Sequence, residues 1–139
     1  MSATVLVVDD EETARMVVSD FLRGKGYEVQ SAGTLADARA QINLGTPDII
    51  ILDVRLPDGH GPNLLVETQR LTIRPQVIII TAHGDISMAV DAMRAGAHDF
   101  IEKPLDLLHL EESVRRAAEV VAMRRELNHL RSTQSGSGE

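Results

Sequence analysis

The stretch Ile49-Ile50-Ile51-Leu52-Asp53 (residues 49–53) is an apolar run closed by an acid, and Val77-Ile78-Ile79-Ile80-Thr81 (residues 77–81) repeats the pattern with a hydroxyl at its end. Neither run alternates apolar with polar residues, as expected of strands covered by helices on both faces of a parallel sheet. Val5-Leu6-Val7-Val8, closed by Asp9-Asp10, is a further run of the same kind. Working outward, each run leads into residues with helical spacing. Ala14, Val17, Val18, Phe21 and Leu22 follow the run at 5–8, Leu64, Leu65 and Leu71 the run at 49–53, and Ile86, Ala89, Val90 and Met93 the run at 77–81. Glu28–Ala32 is a weaker strand before Leu35, Ala38 and Ile42, and Asp99–Glu102 precedes a long helix from about Asp106. Gly24 and Gly26, then Gly45 and Pro47, then Gly96 punctuate the helix ends. Five such strand–helix units predict an α/β fold, a doubly wound five-stranded parallel sheet.

A chain of 139 residues supplies one buried core. It has no cysteine, which excludes disulfides and thiolate metal sites. No apolar run approaches the length of a membrane span, and acids stand where a signal peptide carries bases. Aromatic residues are 2% of the chain, Phe21, Tyr27 and Phe100, too few for a base-stacking surface. The net charge of −7 repels phosphates. A cytoplasmic domain without membrane or direct nucleic-acid contact is expected.

In a parallel sheet the carboxyl ends of all strands share one edge, where ligands bind. That edge would carry Asp9 and Asp10, Asp53, Thr81, and Glu102-Lys103-Pro104. Three carboxylates repel one another unless a cation joins them, and oxygen donors suit a hard ion such as Mg²⁺. Each residue has a plainer alternative: Asp9 or Asp10 as a helix cap, Asp53 as a turn residue before Leu56-Pro57-Asp58-Gly59, Thr81 as an ordinary strand end, Lys103-Pro104 as a surface turn. Five coincidences on one edge favour a site.

The segments VLVVDDEE (5–12), IIILDVRLPDGHG (49–61), VIIITAHGD (77–85) and DFIEKP (99–104) make the chain resemble the receiver domain of two-component response regulators. The likeness covers about residues 3–120 and is strongest to the nitrogen-regulatory and C4-dicarboxylate-regulatory, sigma-54-dependent type. It implies the flavodoxin-like strand order 2-1-3-4-5, and a signalling domain, not an enzyme. It also implies that Asp53 accepts a phosphoryl group from a sensor histidine kinase. Asp10, Asp53 and the Arg55 backbone carbonyl would hold Mg²⁺, with Asp9 assisting through water. Thr81 and Lys103 would contact phosphoryl oxygens, and Phe100 falls at the switch-aromatic position. Lys103-Pro104 matches a peptide bond that is typically cis. Arg55 and His83 stand at variable positions that affect dephosphorylation; His60, His98 and His109 read as surface histidines. Regulators of this type carry an ATPase and a DNA-binding domain after the receiver and control transcription.

Two rivals share some of this chemistry. Haloacid-dehalogenase-like phosphatases want an acid two residues after the nucleophile, where Arg55 stands; a pseudo-receiver would lack the acceptor or the acid pair. Along the last helix, Leu107, Leu110, Val114, Ala117 and Val121 form a stripe suited to the sheet. A second stripe, Val120, Met123, Leu127 and Leu130, continues beyond it. We expect a receiver over 1–121, a helical extension over 122–131, and a flexible linker or fragment end over 132–139. A homodimer is expected through the fourth helix, fifth strand, fifth helix face and this extension.

Overall fold

The computed structural model describes residues 3–137, with side chains through residue 130. Its elements are β1 (Thr4–Val8), α1 (Glu12–Gly24), β2 (Glu28–Ala32), α2 (Leu35–Leu44), β3 (Ile49–Asp53), β4 (Arg55–Leu56), β5 (Gly59–His60), α3 (Gly61–Thr68), β6 (Gln76–Thr81), α4 (Ile86–Arg94), β7 (Asp99–Glu102) and α5 (Leu107–Ser137). Five parallel strands hydrogen-bond in the order β2-β1-β3-β6-β7. Setting aside the two-residue hairpin strands β4 and β5, this is the expected order. The hairpin itself, pairing Arg55 with His60, has no trace in the hydrophobic pattern.

Alternation decides which side chains go where, because successive strand residues point to opposite faces. Leu6, Val8, Ile50, Leu52 and Ile79 pack with Leu35, Ala38 and Ile42 of α2 and Leu64 and Leu65 of α3. Val5, Val7, Ile49, Ile51, Ile78 and Ile80 pack on the other face with Val18 and Leu22 of α1 and Leu110, Val114 and Ala117 of α5. Each fully buried Leu or Ile contributes about 1.5–3 kcal/mol, so the central strands carry most of the core energy.

The larger residues of the α4 apolar stripe do not enter this core, although Ala92 and the partly buried Met88 of the same helix do. Ala89 and Ala92 are buried, whereas Ile86, Val90 and Met93 are exposed. Small residues let α4 lie close to the sheet and turn its larger side chains outward. His98 is half-buried, contrary to its reading as a surface histidine, and burial pushes its pKa down.

Caps fix the loops that frame the sheet edge. Thr34 Oγ1 accepts the Asp37 N–H at 3.1 Å at the start of α2. The Asp58 carboxylate, from the β4–β5 turn, accepts the Leu35 and Ala36 N–H groups at 2.8 and 2.9 Å. Those two N–H groups hold the Asp58 carboxyl below the usual carboxylate range. At the far end, α5 runs unbroken to Ser137, through the first residues of segment 132–139; residues 138 and 139 lie outside the described residues. Among the described residues no helix is long and apolar enough to cross a membrane.

Candidate functional site at the carboxyl edge of the sheet

The strand ends deliver the expected groups to one place. Asp9, Asp10 and Asp53 each offer an oxygen within 4.8 Å of the other two. Asp53 closes β3 and is 7% exposed, Asp9 is half-buried and Asp10 is exposed. Lys103, just past β7, places its Nζ 3.0 Å from Asp53 Oδ2. The Lys103–Pro104 peptide is cis. Thr81 ends β6 and is fully buried. Phe100 is half-buried on β7 and packs on the core face that carries α2 and α3.

The electrostatics are unbalanced in favour of a further cation. Burial raises the Asp9 pKa and the charge of Asp53 adds to this; the Glu11 N–H, bonded to Asp9 Oδ1 at 2.9 Å, opposes them. Burial works against the Lys103 charge, but the Asp53 hydrogen bond and the neighbouring carboxylates outweigh it and raise its pKa. One ammonium therefore faces three carboxylates. An all-carboxylate donor set fits a hard divalent cation.

Thr81 is the second unbalanced group. Its Oγ1 has no hydrogen-bond partner among the described residues although it is fully buried. An unsatisfied buried hydroxyl costs about 1–3 kcal/mol, and it stands on the edge to which Lys103 and Asp53 also belong. Its backbone is fixed, since Thr81 O accepts the Lys103 N–H at 2.8 Å. A ligand oxygen delivered to this edge would satisfy it.

The surrounding loops are tightly set. The Arg55 N–H approaches Asp53 Oδ1 at 3.4 Å while its side chain is exposed. A Cβ at Gly61 would collide with the Asp53 carbonyl oxygen, so only glycine lets α3 start this close to the acid. An apolar pocket of about 190 Å³, walled by Val7, Ala14, Val18, Ile80 and Leu105, opens beside Asp53 and Lys103.

The sequence set Glu102 on this edge but gave it no role. Its Oε2 accepts the Gly84 N–H at 3.0 Å and lies 3.6 Å from His83 Nδ1, which ties the loop after Thr81 to the end of β7. The register that sets Thr81 opposite Glu102 is the signal that could have revealed it.

Residues 5–115 match the response regulator receiver domain family. The chain is 34% identical over 136 residues to regulatory protein AtoC of Escherichia coli strain K12, covering 96% of this chain and 29% of that protein. The crystal structure of NtrX from Brucella abortus in complex with ADP superposes with a TM-score of 0.85 and 38% identity, over 94% of this chain and 30% of that one. The beryllofluoride-activated NtrC4 receiver domain dimer superposes with a TM-score of 0.79 and 36% identity, over 85% of this chain and 98% of that one. The chain thus spans less than a third of AtoC and of NtrX. The sheet order, the gathered acids and these likenesses agree, and the chain belongs to the response regulator receiver domain family.

Proposed function

We propose that Asp53 accepts a phosphoryl group from a phosphohistidine of a sensor kinase and that the domain then changes conformation to direct an output. The buried, partnerless Thr81 hydroxyl on the edge of Asp53 and Lys103 carries this reading. An Asp53 oxygen attacks phosphorus, the phosphorus–nitrogen bond breaks, and the imidazole leaves as the acyl phosphate forms. Lys103 neutralises phosphoryl charge and Thr81 donates a hydrogen bond to a phosphoryl oxygen. Asp10, Asp53 and the Arg55 carbonyl would hold Mg²⁺, with Asp9 assisting. Bound there, the ion offsets the negative charge that nucleophile and phosphoryl group bring together. The reaction happens once per signalling cycle, so the product is a conformation.

The output is transcriptional control in the cytoplasm, exerted through ATPase and DNA-binding domains of the kind found in sigma-54-dependent regulators. The receiver gives way to the helical extension at residue 121, and the extension continues past residue 131 along α5. Two copies pair through α4, β7 and α5, where Ile86, Val90, Met93 and Leu108 stand exposed, and through the extension, where Met123, Leu127 and Leu130 do. The NtrC4 receiver dimer supports this pairing by likeness. Intact mass after acetyl phosphate treatment tests the chemistry. A gain of one phosphoryl group that needs Mg²⁺ and disappears in Asp53→Asn is expected; equal labelling of that variant refutes the assignment.

A further inference from the structure

The amino edge of the sheet, opposite the acids, holds the distal part of α5. Asp48 immediately precedes β3, and its side chain is only 13% exposed. Its Oδ2 accepts the Thr4 N–H at 2.9 Å and the Thr4 hydroxyl at 3.2 Å, while its Oδ1 accepts Arg125 Nη2 at 2.7 Å. Its backbone is pinned as well: Asp48 N–H donates to Thr4 O at 3.0 Å, and Asp48 O accepts the Gln76 N–H at 2.9 Å. One residue thus joins the starts of β1 and β6, by side chain and by backbone, to a helix residue 77 positions away in sequence. Arg124 Nη1 reaches the Arg74 carbonyl at 3.4 Å. Beside these contacts a cleft of about 540 Å³ separates the helix from the loop before β6, lined by Pro47, Leu71, Ile73, Val121 and Asn128 among others.

The extension therefore has two faces. Val121, Arg124, Arg125 and Asn128 border the body, Met123 and Leu130 stand exposed away from it, and Leu127 is exposed at the margin, beside the loop at Ile73 and Arg74. At 100° per residue the centre of the first face lies roughly 130° around the helix from that of the Val120–Leu130 stripe. Whatever fixes the first face fixes where the second one points.

We propose that Asp48 is the positioning residue for the linker helix. Through Arg125 it sets the azimuth at which the Met123, Leu127 and Leu130 stripe meets the stripe of a second copy. This rests on the pairing reading given above and adds its control point. The packed contacts of α5 end near Val121, and the extension beyond it would otherwise sample many directions. A short charge-assisted bond to a carboxylate that Thr4 holds, on a residue whose backbone bonds Thr4 and Gln76, restricts it. Pairing needs the stripe in one orientation, so losing the clamp lowers the competent fraction in both partners and weakens association.

The test uses the full chain as Arg125→Ala, Asp48→Asn, the double variant, and Arg115→Ala as a control. Arg115 is another exposed α5 arginine, and its carboxylate partner, Glu119, lies on its own helix. Amide exchange at 122–130 should speed up about fivefold in each clamp variant, no more in the double, and not at all in the control. Sedimentation with and without beryllofluoride should show the dissociation constant rising about fivefold in the clamp variants only. Acetyl phosphate labelling of Asp53 should stay unchanged throughout, so a failure of the acceptor reading is seen separately. Unchanged exchange in Arg125→Ala, equal effects in Arg115→Ala, or faster exchange with unaltered association each overturn the proposal. A wild-type chain that stays monomeric at tens of micromolar overturns the pairing reading and leaves exchange to decide the clamp.

Discussion

Two carboxylates bracket β3, Asp48 before its first residue and Asp53 at its last, and they live in opposite conditions. The Asp48 carboxylate takes three donors, two from Thr4 and one from Arg125. Asp53 has one ammonium and one long N–H contact, and shares its space with two further acids. Their side chains are similarly buried, 13% and 10% exposed, so burial alone does not separate them. The partners do. A carboxylate that holds three donors, one of them a guanidinium, is a fastener, and one that holds an ammonium and a long N–H contact among repelling acids keeps capacity for a cation. Which end of a parallel strand a residue occupies decides the donors it meets.

The sharpest way to break this contrast is to exchange both acids for amides. Asp53→Asn should lose all Mg²⁺-dependent phosphoryl gain by intact mass, whereas Asp48→Asn should label as fully as wild type. Next in size are the groups around Asp53. Lys103→Ala should weaken the conformational response to beryllofluoride roughly 10- to 150-fold, the worth of a charge-assisted contact of about 1.5–3 kcal/mol. Thr81→Ala should weaken it less, with both followed by chemical-shift change in α4. Should either variant respond like wild type, the carboxyl edge is not organised as described.

Stability measurements sharpen the other side. Asp48→Asn should lower the unfolding free energy by about 1–2 kcal/mol in urea titration, because the amide loses the ionic part of its bonds to Arg125 and Thr4. Asp9→Asn should act oppositely and least, raising Tm by about 1–3 °C without Mg²⁺. The Asp9 pKa is higher folded than unfolded, so ionising it costs stability. That cost is absent below about pH 3.9, the unfolded value, and complete above the raised folded one. The gain from Asp9→Asn should therefore vanish in acid, and added Mg²⁺ should stabilise wild type more than the variant. Lys103 has the complementary sign. Its raised pKa brings stability that is full below about pH 10.4 and disappears as pH climbs through the folded value.

The sheet and its acidic edge were legible because both rest on local patterns. Continuous apolar runs name central strands, and the residue closing each run lies on the carboxyl edge whatever the pairing. The α4 stripe was misleading for a physical reason: Ile86, Val90 and Met93 share a helical face, but periodicity says only that a face exists, not that it turns inward. The β4–β5 hairpin is too short to leave a period. The Asp48–Arg125 bond joins residues 77 apart and requires the fold before it can be seen. Thr81 was identifiable by position, but the absence of any partner for its hydroxyl is a property of the packed structure.

The length of α5 has a mechanical consequence. Its 31 residues reach about 46 Å at 1.5 Å per residue, with the core-packed part ending near Val121. The part beyond Val121, about 24 Å long, is a lever arm: a tilt of about 5° there sweeps the far end through roughly 2 Å. Rearrangements at the seated end too small to disturb the core would be magnified into steps of that size wherever the helix terminates.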